Sequence, residues 1–100
     1  MGKIVIWSKS ALNQTEKIHK RILKGSKSLN VADKVINRLF ASSDILENHP
    51  EVYNLDRFKK KNNGTYRAYE VYSYRISYRI LKDEIRILRV RHTSREPLEY

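Results

Sequence analysis

Two runs of alternating apolar and basic residues, separated by a short turn, constrain the fold of this chain more than any other feature. Tyr74-Arg75-Ile76-Ser77-Tyr78-Arg79-Ile80 puts Ile76, Tyr78 and Ile80 on one side of a pleated strand. Arg75, Ser77 and Arg79 fall on the other side. Ile85-Arg86-Ile87-Leu88-Arg89-Val90-Arg91-His92 repeats the theme after Lys82-Asp83-Glu84, a sequence suited to a tight turn, so the two strands should pair antiparallel. The apolar side requires a core. The arginine side is expected to stay open and to seek an anion, because a guanidinium grips oxyanions in pairs and keeps its charge near neutral pH.

The rest of the chain supplies what that sheet needs. Lys3 to Trp7 reads as a short, immediately buried strand rich in β-branched and aromatic residues. Ser8 and Ser10 offer hydroxyl caps for a helix whose Ala11, Thr15, Ile18 and Ile22 recur at helical spacing, with Gly25 as its stop. A second helix carries Ala32, Val35, Ile36, Leu39 and Phe40 on one stripe and runs on through Ile45 and Leu46 before His49-Pro50 ends it. The short link between the helices makes them a hairpin. Glu51 to Gly64 is polar and irregular, and a strand near Tyr66–Val71 precedes the two already described. The order is β-α-α-β-β-β: an α+β domain spanning residues 1–100, with the helical hairpin on one face of a mainly antiparallel sheet.

Charge and absences narrow the function. Lys and Arg outnumber Asp and Glu 21 to 11, a balance of +10 that suits a nucleic-acid binder or a protein held by an acidic partner. The absence of cysteine excludes disulfides, thiolate chemistry and cysteine-based zinc sites, and suits a reducing compartment. The first apolar run is too short for a signal-peptide core or a membrane span, so a cytoplasmic protein without membrane attachment is expected. With no phosphate-cradling glycine loop and no metal-ligand spacing, no cofactor is expected; His19 and His49 receive no role.

The strand Tyr74–Ile80 with its tyrosine-arginine-aliphatic-x-tyrosine pattern, and the following strand ending at His92, resemble the RelE/ParE superfamily of toxins from bacterial type II toxin–antitoxin modules. The resemblance extends from Trp7-Ser8 and Ala11 through the hairpin to the last strand. It implies a cognate acidic antitoxin and one of two activities. RelE-type members cleave mRNA on the ribosome without a metal, the activity expected first here; ParE-type members, the alternative, inhibit DNA gyrase and cut no RNA. Fold alone does not choose between them.

For cleavage, a 2′-hydroxyl must be deprotonated, the leaving oxygen protonated and the phosphorane stabilised by cations. The resemblance assigns Arg75 to the phosphate, His92 and Tyr100 to proton transfer, and Arg95 to a second electrostatic role. Lys59, Lys60, Lys61, Arg67 and Arg91 are the candidate RNA contacts. Tyr69 stands where the nucleases carry a further lysine, a departure that favours the gyrase branch. The structural alternatives are a strand arginine for Arg75, a frayed end for Tyr100 and a solvated loop for the lysines. The tyrosines Tyr66, Tyr69, Tyr72, Tyr74 and Tyr78 are read as sheet packing more than as a base-stacking platform.

Overall fold

Ser8 is the joint from which the N-terminal half is organised. Its backbone is extended and its Oγ accepts the Ala11 N–H at 3.0 Å, satisfying one of the orphan donors of the first helix. The same hydroxyl donates to the Leu88 carbonyl at 3.1 Å, tying the helix start to the sheet. In the computed structural model, which describes residues 2–95 and 99–100, the side chain of Arg95 excepted, the chain runs β1 (Ile4–Trp7), α1 (Lys9–Ser26), α2 (Leu29–Ser42), a 3-10 turn (Asp44–Glu47), β2 (Tyr66–Val71), β3 (Tyr74–Ile80) and β4 (Glu84–His92). A last 3-10 turn covers Thr93–Arg95.

The sheet order is β1-β4-β3-β2. β1 joins β4 in parallel, while β2/β3 and β3/β4 are antiparallel with Arg75 opposite Arg91 and Tyr74 opposite His92. A bulge at Ser77/Tyr78 leaves Leu88 as the extra residue of β4, which keeps Ile85 and Ile87 before it and Val90 after it on the same side. The hairpin α1/α2 packs on that side. Ala11, Thr15 and Ile18 of α1 and Ala32 and Leu39 of α2 are buried, as their 3–4 spacing dictates, against Ile76, Tyr78, Ile85, Ile87 and Val90. Each fully buried Leu or Ile in this layer contributes about 1.5–3 kcal/mol of transfer free energy. Tyr78 extends through the core to donate to the Pro50 carbonyl at 2.7 Å, and the Tyr69 hydroxyl meets Ser42 Oγ at 2.9 Å. These tyrosines pack the sheet.

Four expectations are corrected. Helix α1 passes through Gly25 and is stopped by Lys27, whose left-handed φ of 56° lets its N–H bond the Leu23 carbonyl. Helix α2 stops at Ser42, where Ser43 turns back its hydroxyl to the Phe40 carbonyl and accepts the Trp7 indole N–H; Ile45 and Leu46 lie in the 3-10 turn beyond. The opening strand is an edge strand, so only Val5 and Trp7 face the core, and Ile4 and Ile6 remain 68% and 40% exposed. Most consequential, the arginine side of the sheet is not open. Residues 51–64 fold over it with Tyr100, burying Arg75 and Ser77.

Candidate functional site

The cover over the arginine face is built around one carboxylate, Asp56. Its backbone N–H donates to the Tyr66 carbonyl, which fixes the loop against β2, and Asn62 Nδ2 bridges the Asp56 and Tyr66 carbonyls. So placed, Asp56 Oδ1 accepts Arg75 Nη2 at 2.9 Å and the Phe58 N–H at 3.0 Å, while Oδ2 accepts the Tyr100 hydroxyl at 2.6 Å. Asp56 is 1% and Arg75 7% exposed, so the pair is desolvated. Burial alone would raise the Asp56 pKa; the hydrogen bonds from Tyr100, Arg75 and Phe58, with the Arg75 charge, outweigh it and hold the carboxyl below its usual range.

The Arg75 guanidinium is enclosed on further sides. The Phe58 ring lies 4.7 Å from it, and Glu70 on β2, directly opposite in register, approaches Nη1 at 3.8 Å. Tyr100 is held as firmly. Its N–H donates to the Phe58 carbonyl and its carbonyl accepts the Lys60 N–H, a miniature antiparallel pair, and its ring lies 3.9 Å from the Arg89 guanidinium. Burial and the adjacent Asp56 push the Tyr100 phenol well above its ordinary pKa, so this group is a hydrogen-bond donor and a poor base.

The other predicted residues are distributed as follows. Lys59 is half-buried, its Nζ 4.7 Å from the Tyr66 ring and 3.2 Å from the Tyr100 carbonyl, whereas Lys60 and Lys61 have exposed side chains. Arg67 lies on the helix-facing side of β2 with Tyr69, its Nη1 donating to the Tyr53 carbonyl at 2.6 Å. Arg91 is opposite Arg75 and its Nε is buried without a hydrogen-bond partner among the described residues. The Arg95 side chain lies outside the described residues. His92 stands on the helix-facing side, edge-on to the Tyr74 ring at 5.3 Å. Its Nδ1 accepts the Ser94 N–H at 3.1 Å, which assigns the proton of the neutral ring to Nε2.

Alternation along the strands therefore separates the predicted group. Arg75 and Tyr100 meet on the covered face, and His92 is on the opposite one. Among the described residues no three His, Cys, Asp or Glu side chains gather as a metal ion would require, and no helix is long and apolar enough to cross a membrane. Sequence reasoning missed Asp56, the hub of the covered face; its only signal was a lone carboxylate, Leu55-Asp56-Arg57, in a basic loop. It also missed Gln14, Lys17 and Arg21, which line a cleft beside Val90, Arg91 and His92 and whose 3–4 spacing on α1 was visible.

Residues 5–97 match the family described as the ParE toxin of the type II toxin–antitoxin system parDE. The chain belongs to the ParE toxin family. A solved structure titled as a chromosomal ParDE TA system from P. aeruginosa has the same fold, with a TM-score of 0.72 over 90% of this chain and 95% of that one, at 15% identity. No protein of curated function is detectably similar in sequence. The four-stranded sheet with its helical hairpin is thus the RelE/ParE-like α+β fold that the strand pattern suggested.

Proposed function

We propose that this ParE-family toxin arrests growth by binding DNA gyrase and that it cuts no RNA. The observation that carries the reading is the 2.9 Å pair between Asp56 and Arg75. A phosphate-stabilising arginine must reach a substrate oxygen, and here the guanidinium is buried and already neutralised by an internal carboxylate. The supporting geometry is consistent. The Tyr100 hydroxyl donates a hydrogen bond to Asp56, and His92 faces the other side of the sheet, so among the described residues no base, acid and cation converge within hydrogen-bonding reach of one scissile phosphate. In this reading Arg75 and Tyr100 hold the covered face together, and the exposed Lys60 and Lys61 contribute solvated positive charge.

The partner that restrains the toxin is an antitoxin whose acidic part complements the +10 surface. The setting is the bacterial cytoplasm, where gyrase and translating ribosomes are both within reach. The test is to map mRNA 5′ ends in a translating ribosome mixture given a preparation already shown to arrest cells. Unchanged ends are expected. Cuts at ribosome-occupied codons would overturn the proposal in favour of ribosome-dependent mRNA cleavage.

A further inference from the structure

We infer that the outer face of the α1/α2 hairpin is a phosphate-binding surface for duplex DNA, held beside the enzyme that the toxin blocks. The choice of DNA over duplex RNA rests on the gyrase reading, because gyrase works on a DNA duplex; the surface itself is argued from the hairpin. Residues 9–42 carry eight lysines and arginines against two carboxylates. Both carboxylates are engaged inside the hairpin. Asp33 Oδ1 meets His19 Nε2 at 2.7 Å across the seam between α2 and α1, and Glu16 lies 3.7 Å from Lys20 on the same helix. Lys24, Lys27 and Lys34 have no ion pair among the described residues.

The core fixes where these cations point. Ala11 and Ile18 of α1 and Ala32 and Leu39 of α2 are buried, so Lys20, Lys24 and Lys34 project from the opposite sides of their helices and are exposed. The His19–Asp33 contact sets the register of the hairpin and brings Lys20 and Lys34, the next residue in each case, side by side above the seam. A rise of about 1.5 Å per residue separates Lys20 from Lys24 by about 6 Å along the axis, and packed helices lie about 8–10 Å apart. Across a patch about 10 Å wide a duplex presents about six phosphates, at one charge per ~1.7 Å. Asn30, exposed between Lys27 and Lys34, adds a side-chain amide of the kind that contacts phosphate oxygens. Lys27 gives an independent indication. Its left-handed φ of 56° is a conformation that glycine adopts without cost, and a lysine in that strained position is accounted for when its side chain has a use. The occupant follows from what the face lacks. Residues 9–39 contain no Phe, Tyr or Trp on which unpaired bases could stack, and helical backbone offers no strand edge to a peptide.

The test titrates the full chain against a short fluorescein-labelled DNA duplex of mixed sequence, by anisotropy across a series of salt concentrations and with no gyrase present. Four phosphate contacts predict a slope of log Kobs against log[salt] of about −3.6. Lys20→Gln/Lys24→Gln/Lys34→Gln, confined to exposed positions, should flatten the slope by about 2.7 and weaken binding at least about tenfold. Lys27→Gly should flatten it by about 0.9 while raising Tm, so its weaker binding cannot come from unfolding. Lys82→Gln, exposed in the turn between β3 and β4, should leave the slope as it is. An unchanged slope in the triple variant would overturn the inference. Equal flattening by Lys82→Gln would do so too, since the attraction would then be diffuse. Tighter binding to oligothymidylate or to duplex RNA of the same length, or displacement of the duplex by polyglutamate at equal charge concentration, would assign the face to another anion and equally overturn it. Supercoiling untouched by the toxin, with the slopes as expected, would count against the gyrase reading and support this surface on its own.

Discussion

Replacing Asp56 with alanine should cripple the stability of the toxin while touching nothing exposed. The carboxylate is fully buried and the Arg75 side chain 8% exposed, so the substitution strands a buried guanidinium. Removing one partner of such a pair costs about 3–5 kcal/mol, because the remaining charge keeps its desolvation penalty. The Phe58 N–H and the Tyr100 hydroxyl also lose their acceptor, which keeps the expected value at the upper end of that range. At about 4–8 °C per kcal/mol for a domain of this size, Tm should fall by at least about 12 °C. Thermal unfolding followed by circular dichroism reads this directly. The double variant Asp56→Leu/Arg75→Met removes both charges and should recover most of the loss, so the losses of the two single variants should be strongly non-additive in the cycle. A loss below about 1 kcal/mol for Asp56→Ala would refute the reasoning, since it would mean that water reaches the guanidinium in the folded protein.

The pH profile follows from the same site. Because the folded pKa of Asp56 lies below the unfolded value near 3.8, its stabilisation is complete above that value and is lost as pH falls through the folded pKa; urea unfolding of Asp56→Asn should therefore show a shallower acid limb than the wild type. At the alkaline end, burial lifts the Tyr69 phenol to about 12, and Tyr78 and Tyr100 also lie above the ordinary range. Stability from these raised groups is complete below pH ~10 and declines above it, and a phenolate absorbance titration should show three of the seven tyrosines ionising late or only on unfolding. Gly25→Ala fills open space inside α1, and Lys27→Gly relieves the left-handed φ of 56°; together they should add about 1–2 kcal/mol, seen as a rise in Tm.

The element order was legible because each segment carries its own period. Ala11, Thr15, Ile18 and Ile22 cannot serve a strand, and Ile76, Tyr78 and Ile80 cannot serve a helix. Of the five tyrosines read as sheet packing, Tyr69, Tyr74 and Tyr78 are buried and Tyr66 is half-buried, whereas Tyr72 stands 61% exposed in the turn between β2 and β3. What the sequence withheld depends on contacts between distant segments. Alternation correctly put Arg75 and Ser77 opposite Ile76, but it cannot say what covers a face. The cover comes from an irregular loop whose placement rests on Asp56, Asn62 and a docked Tyr100. The short β1 was legible as a strand, yet its parallel pairing with β4, and hence the exposed Ile4, has no local signature. The candidate site suffered from the same limit. Residue types chosen for chemistry were present, and the sheet then divided them between two faces.

Gyrase supercoiling is the measurement closest to the central claim. Purified toxin should block the supercoiling of relaxed plasmid by gyrase. Addition of an antitoxin that restores growth should relieve the block. Full supercoiling in the presence of toxin that arrests cells would contradict the account and return Arg75 and Tyr100 to consideration as parts of a ribosome-activated nuclease.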